Sequence, residues 1–202
     1  MKKLIVAGAI FAATTAANAV VTLSGGTYVT FDGYDAPPVL TDVQTSGLEN
    51  TVLSGGKDDQ FTATFLGKEA AHKNEFWVNN TLVFNNLASA PTTYGPFTAG
   101  NPMVFSFRDA IDGEDVPNGG NPIVFASYVV FGTMDGDVFN PYTKNGEYDF
   151  VLGFNDGSVN DADYDDLVVG FNVTTVPEPE TYALMLAGLG VVGFVARRRR
   201  AA

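Results

Sequence analysis

Hydrophobic and polar residues alternate through much of the middle of the chain. Met103, Phe105 and Phe107 alternate with Val104 and Ser106, and Leu167, Val169, Phe171 and Val173 alternate with Val168, Gly170 and Asn172. Residues 27–31, 61–65 and 149–154 follow the same two-residue period, which puts every second side chain on one face of a half-buried strand. Residues 123–131 are almost continuously apolar and predict a central strand buried on both faces. Residues 75–78 and 81–84 flank Asn79-Asn80. Asparagine tolerates positive φ, so a two-residue hairpin turn is predicted there. Clusters of Gly, Asn, Asp and Pro at 25–26, 55–56, 91–101, 112–122 and 135–145 separate these runs. Many short strands punctuated by turns predict an all-β antiparallel sandwich or jelly roll. Residues 67–74 read as a short helix or an exposed loop.

The pattern changes at both ends. Met1-Lys2-Lys3 is followed by an apolar run from Leu4 to Ala13, and then by Ala17-Asn18-Ala19. A basic start, a short apolar stretch and small residues at the −3 and −1 positions predict a secretory signal helix over 1–19, cleaved after Ala19. At the other end, Pro177-Glu178-Pro179 precedes fifteen uncharged residues, 182–196, and then Arg197, Arg198, Arg199 and Arg200. As a helix the uncharged run would measure about 22 Å, against the roughly 30 Å of a hydrocarbon core. Snorkelling arginines and local thinning would let it serve as a short C-terminal transmembrane helix. The arginine cluster would hold its end in the cytoplasm and leave the preceding residues outside.

This order of Pro-Glu-Pro, short hydrophobic helix and terminal arginines resembles the PEP-CTERM sorting signal. The resemblance implies recognition by a membrane-embedded exosortase, cleavage near the motif, and delivery to the cell surface or extracellular matrix of a Gram-negative bacterium. It covers the last 26 or so residues and concerns destination alone. The expected layout is a signal peptide over 1–19, an ectodomain over 20–175 and a sorting segment over 176–202.

Composition adds two constraints. The formal net charge is −12, but Lys2, Lys3 and the four arginines belong to the targeting ends, as do Glu178 and Glu180. Removing them leaves 21 acidic against 5 basic residues. A domain this acidic has no basic footprint for nucleic acid and favours cations as partners. The same charge also serves solubility. There is no cysteine, which excludes thiol catalysis and Cys-ligated zinc or iron–sulfur centres.

The densest candidate chemistry lies at 153–169. Asp161, Asp163 and Asp165 alternate there, with Asp156, Asn160 and Asp166 close by. Calcium takes six to eight oxygen ligands, and Asp156, Asp161, Asp163, Asp165 and Asp166 are its candidate ligands. The EF-hand template fails, since Asp166 stands where it needs glycine and Asn172 where it needs glutamate. A solvated Asp-rich turn accounts for the same residues. This stretch also resembles the closing segment of an uncharacterised bacterial surface domain that ends in Asp-x-Asp-Tyr-Asn-Asp and an apolar strand. Asp156, Asp161, Asp163, Tyr164 and Asp166 fall on that pattern, while Asn155 and Asp165 depart from it. The resemblance implies a β fold and a role for these acids.

Other candidates are sparser. His72 is the single histidine, beside Lys68 and Lys73, and reads as part of a solvated face. Asp109, Asp112, Glu114 and Asp115 read as a polar turn. Trp77, Tyr94 and Tyr142 are candidates to stack on sugar rings or to pack in the core. No nucleophile elbow, phosphate loop or zinc-protease motif occurs. The expected function is a non-enzymatic, exported surface or matrix protein with calcium as its one candidate cofactor. A carbohydrate-binding module for exopolysaccharide is the alternative, and a carboxylate-based glycoside-active enzyme a third.

Overall fold

The computed structural model describes residues 21–31, 44–70, 72–113, 115–120, 126–157, 163–176 and 179–200. The expected signal peptide with Ala17 and Ala19, and also Glu114, Asp161, Pro177 and Glu178, lie outside the described residues. The remainder is an antiparallel all-β fold followed by one helix, as the alternating pattern predicts.

Fourteen strands are described: β1 (Thr22–Ser24), β2 (Thr27–Thr30), β3 (Ser46–Glu49), β4 (Val52–Ser54), β5 (Gln60–Gly67), β6 (Asn74–Val78), β7 (Thr81–Asn85), β8 (Thr92–Thr98), β9 (Phe105–Asp109), β10 (Asp115–Pro117), β11 (Ala126–Asp135), β12 (Val138–Pro141), β13 (Phe150–Asp156) and β14 (Leu167–Thr174). The larger sheet runs β2-β3-β11-β13-β14-β5-β8, with β12 paired to the far end of β11. A smaller sheet runs β10-β9-β6-β7, and β1 pairs with β4. Asn79 and Asn80 take φ of 50° and 59° between β6 and β7, the left-handed pair that a type I′ hairpin turn requires.

The two sheets face each other across a phenylalanine-rich layer. Phe76 of the smaller sheet is fully buried and lies 5.2 Å from Phe107, 5.1 Å from Phe84 and 5.8 Å from Phe171 of the larger sheet. Phe107 stacks on Phe154 at 5.2 Å, and Phe171 on Phe150 and Phe61. Each ring removes a large apolar area from water, and the offset and edge-on contacts add to it. Truncation of Phe76 to alanine should therefore cost about 3–5 kcal/mol of unfolding free energy, read by denaturant titration.

Residues 149–154 and 167–173 alternate in sequence, yet β13 is buried along its whole length and β14 over its first five residues. The reason is a second apolar cluster on the outer face of the larger sheet. Leu66, Val129, Phe131, Val151, Tyr164 and Val168 form it, joined by Val29, Phe31, Tyr142 and Tyr148. Gly153 and Gly170 make room for this cover. A Cβ on Gly153 would collide with the Tyr164 carbonyl oxygen, and one on Gly170 would lie 2.6 Å from the Tyr148 ring. Residues 126–132 of β11 are buried as the continuous apolar run predicts.

Three further differences concern loops. Residues 91–101 read as turn, yet β8 crosses them as an edge strand, where Pro96 removes no needed ladder donor. Short strands β10 and β12 likewise run inside predicted turn clusters. In the β5–β6 connection, the described residues 68–70, 72 and 73 are non-helical, as the loop alternative predicts. At the C-terminus, α1 (Pro179–Arg200) spans the uncharged run and the arginines. Among the described residues no helix is long and apolar enough to cross a membrane. The expected transmembrane helix is thus met as a helix and not as a span, in keeping with the shortness of the uncharged run.

Placing a methyl group at Gly153 should push the Tyr164 backbone off β13. Gly153→Ala is expected to lower the thermal midpoint by several degrees, corresponding to about 1–3 kcal/mol of overpacking, as followed by circular dichroism.

Candidate functional site

The acidic segment forms the β13–β14 connection, and its geometry follows from strand register. Val168 pairs with Gly67, so the chain entering β14 and the chain leaving β5 lie side by side at one end of the larger sheet. The Glu69 N–H donates to the Asp165 carbonyl at 3.0 Å and extends that pairing by one bond beyond the strands. Tyr164 fixes the segment from the other side. Its φ of 63° turns the chain, and its ring packs 4.9 Å from Phe31. Its hydroxyl donates to Glu49 Oε1 at 2.9 Å and accepts from Ser127 Oγ at 3.3 Å. Burial holds this phenol well above its ordinary range, so it remains a donor.

Held in this way, Asp163 and Asp165 meet Glu69. Each offers a carboxylate oxygen, and the three oxygens lie within 4.8 Å of one another. Glu69 is exposed and Asp163 half-buried, whereas Asp165 is only 2% exposed. Asp165 Oδ2 is buried without a hydrogen-bond partner among the described residues. Its carboxyl is pushed up to about 8, first by burial, then by the charge of Asp163 and a hydrogen bond with it, and further by Glu69 and Asp166. Crowded carboxylates cannot all ionise without a counter-charge. A proton relieves that crowding, and a cation bound to the same oxygens would relieve it as well.

The other predicted acids are used differently. Asp166 Oδ2 accepts the Asp156 N–H at 2.7 Å, which closes the end of β13 onto the start of β14. Asp156 Oδ2 in turn accepts from Asn74 Nδ2 at 2.9 Å, across to the smaller sheet. The structure therefore brings Asp163 and Asp165 together and places Asp156 and Asp166 in bonds that join strands and sheets. Glu69 carries no sequence signal. It stands 94 positions before Asp163, and only the β5–β14 register brings the two together.

His72 is not simply a solvated side chain. Its Nδ1 lies 2.9 Å from Asp109 Oδ2, and 42% of the side chain faces solvent while the aspartate is fully buried. Asp109 Oδ1 accepts the Ile111 N–H at 2.7 Å, so this acid of the predicted polar turn is a buried structural group. His72, Asp109 and Asp112 also offer atoms within 4.8 Å of one another, but both Asp109 oxygens are already engaged. The hydrogen bond that His72 Nδ1 donates to Asp109 raises the His72 pKa above its ordinary value; burial opposes it, and the charges of Asp109, Asp156 and Asp112 add to it.

The three aromatic candidates sit on different elements. Trp77 of β6 has the Arg108 guanidinium 4.9 Å over its ring and donates from Nε1 to Glu75 Oε2 at 3.0 Å. Tyr94 of β8 stacks on Phe84 at 5.0 Å, and Tyr142 packs against the outer cluster. They form no shared platform for a sugar ring.

Beyond β14 the chain passes residues 175–178 and enters α1, where the apolar face of Phe194 carries Arg198 at 5.7 Å. Residues 175–200 match the family model of the PEP-CTERM protein-sorting motif. The chain carries a PEP-CTERM motif. A PEP-CTERM motif marks an exported protein targeted to exosortase and sorted to the surface in Gram-negative bacteria. The match begins where β14 ends, so the motif and the folded β region adjoin without overlapping strands. Comparison with curated proteins and with solved structures gives no match.

A histidine whose folded pKa lies above its unfolded value stabilises the fold fully below about pH 6.5, and that stabilisation fades as pH rises through the folded pKa. Replacing His72 by glutamine should thus cost more at about pH 5.5 than at about pH 8.5. Solvent screening should keep the difference under about 1 kcal/mol, measurable from paired urea titrations.

Proposed function

We infer that this protein is a non-enzymatic component of the cell surface or extracellular matrix, delivered by exosortase and stiffened by calcium at its acidic loop. The observation that carries this reading is the PEP-CTERM motif placed directly after a closed β-sandwich. The signal-like start supports export, and the terminal arginines support retention of the C-terminal end on the cytoplasmic side until cleavage near Pro177-Glu178-Pro179. The mature product would then be the sandwich alone. The crowding of carboxylates around Asp165 supports a hard cation as its cofactor. A glycan-binding role draws less support, since Trp77, Tyr94 and Tyr142 are each packed against other groups.

Two measurements test the reading. Mass spectrometry of the surface-released protein should find Arg197–Arg200 removed. Replacing Pro177, Glu178 and Pro179 by alanine should leave the uncleaved form in the membrane fraction; surface protein that retains its arginines would refute processing. Saturating calcium should also raise the thermal midpoint of the exported protein. Ligand at about 100 times its Kd contributes about 2.7 kcal/mol, a shift of several degrees for a domain of this size. An unmoved midpoint would remove calcium from the reading and leave sorting untouched.

A further inference from the structure

The acidic loop does not act alone, because strand register sets a second connection beside it. Gly67 and Val168 are paired, Glu69 donates its N–H to the Asp165 carbonyl, and the carboxylates of Glu69, Asp163 and Asp165 gather within 4.8 Å. Asp165 is 2% exposed, and its Oδ2 has no hydrogen-bond partner among the described residues. A buried carboxylate oxygen left without a donor is costly, and such groups in folded proteins are ordinarily satisfied by protein, water or an ion. Among the described residues the group gathered here offers carboxylate oxygens alone, which favours a hard cation over a transition metal. Glu69, being exposed, leaves one side open to water ligands.

We propose that Glu69, Asp163 and Asp165 bind a divalent calcium ion that staples the β5–β6 connection to the β13–β14 connection. This rests on the reading of the acidic loop as a calcium site and assigns that site a ligand from outside the loop. Its consequence is mechanical. The β5–β6 connection leads directly from the larger sheet into β6 of the smaller one, so the ion ties the crossover between sheets to the loop held by Tyr164. Asp156 and Asp166 are spent on strand-joining bonds and act as supports, not ligands.

The test uses the exported protein, stripped with a chelator, and three variants. Calcium titration is followed by calorimetry and by thermal unfolding, with magnesium as the comparison ion. Terbium luminescence excited through tyrosine is the second readout, because Tyr164 lies between two proposed ligands in sequence. Glu69→Gln should weaken calcium binding about tenfold, since removing one charged ligand is a main lever on affinity. Asp165→Asn should weaken it more and abolish sensitised terbium emission. Asp112→Asn, in the His72 group, should bind as the unaltered protein does. Glu69 is exposed, so its variant folds even if Asp165→Asn does not. If the unaltered protein shows no calcium binding, both the calcium reading and this assignment fall. If it binds calcium and Glu69→Gln binds equally well, the loop site stands and the two-connection staple is overturned.

Discussion

Burial of β11, β13 and β14 on both faces is the constraint from which the rest of the structure follows. The inner face meets the smaller sheet through Phe76, Phe107 and Phe171, and the outer face is covered by Phe31, Tyr142, Tyr148 and Tyr164. An antiparallel sheet commonly leaves one side to water. Here the outer side is closed by residues from loops, so the loops are drawn down onto the sheet and lose much of their freedom. The acidic connection is one of them. Its tyrosine belongs to the core while the aspartates on either side of it belong to the site.

That dual membership explains why the site can be ordered without disulfides. Tyr164 contributes apolar burial and two hydrogen bonds, and Gly153 lets its backbone approach β13 closely. The fold energy that orders the loop is hydrophobic and remote from the carboxylates. The electrostatic cost of crowding Glu69, Asp163 and Asp165 is met by packing elsewhere, which is how strained polar groups persist in stable proteins.

Much of the fold was legible in the chain. The two-residue period identified β2, β5, β9, β13 and β14, the continuous apolar run identified β11, and Asn79-Asn80 identified its hairpin. The C-terminal sorting segment was legible because it is contiguous, with motif, apolar run and arginines in fixed order. Short strands such as β10 and β12 were not legible, since three or four residues carry too little pattern to stand out from turn-forming composition. The outer cover was hidden because its members come from separate loops. Glu69 was hidden for the same reason: its meaning depends on which strand lies beside β5, and periodicity says nothing of partners. The role of Asp109 was concealed by its neighbours, whose polarity suggested solvent where the structure has a buried hydrogen-bonded carboxylate.

The edge strands bear on life outside the cell. Pro96 in β8, Pro117 in β10 and Pro141 in β12 each lie on a strand with a neighbour on one side only. A proline there offers no N–H to an approaching chain, so these three edges are poor templates for a further strand, while β2 and β7 end their sheets without one. Copies of a β-rich domain gathered at high density on a surface run a standing risk of zipping into fibrils. Three proline-bearing edges and a strongly negative net charge both work against that pairing, which leaves β2 and β7 as the edges where it would begin.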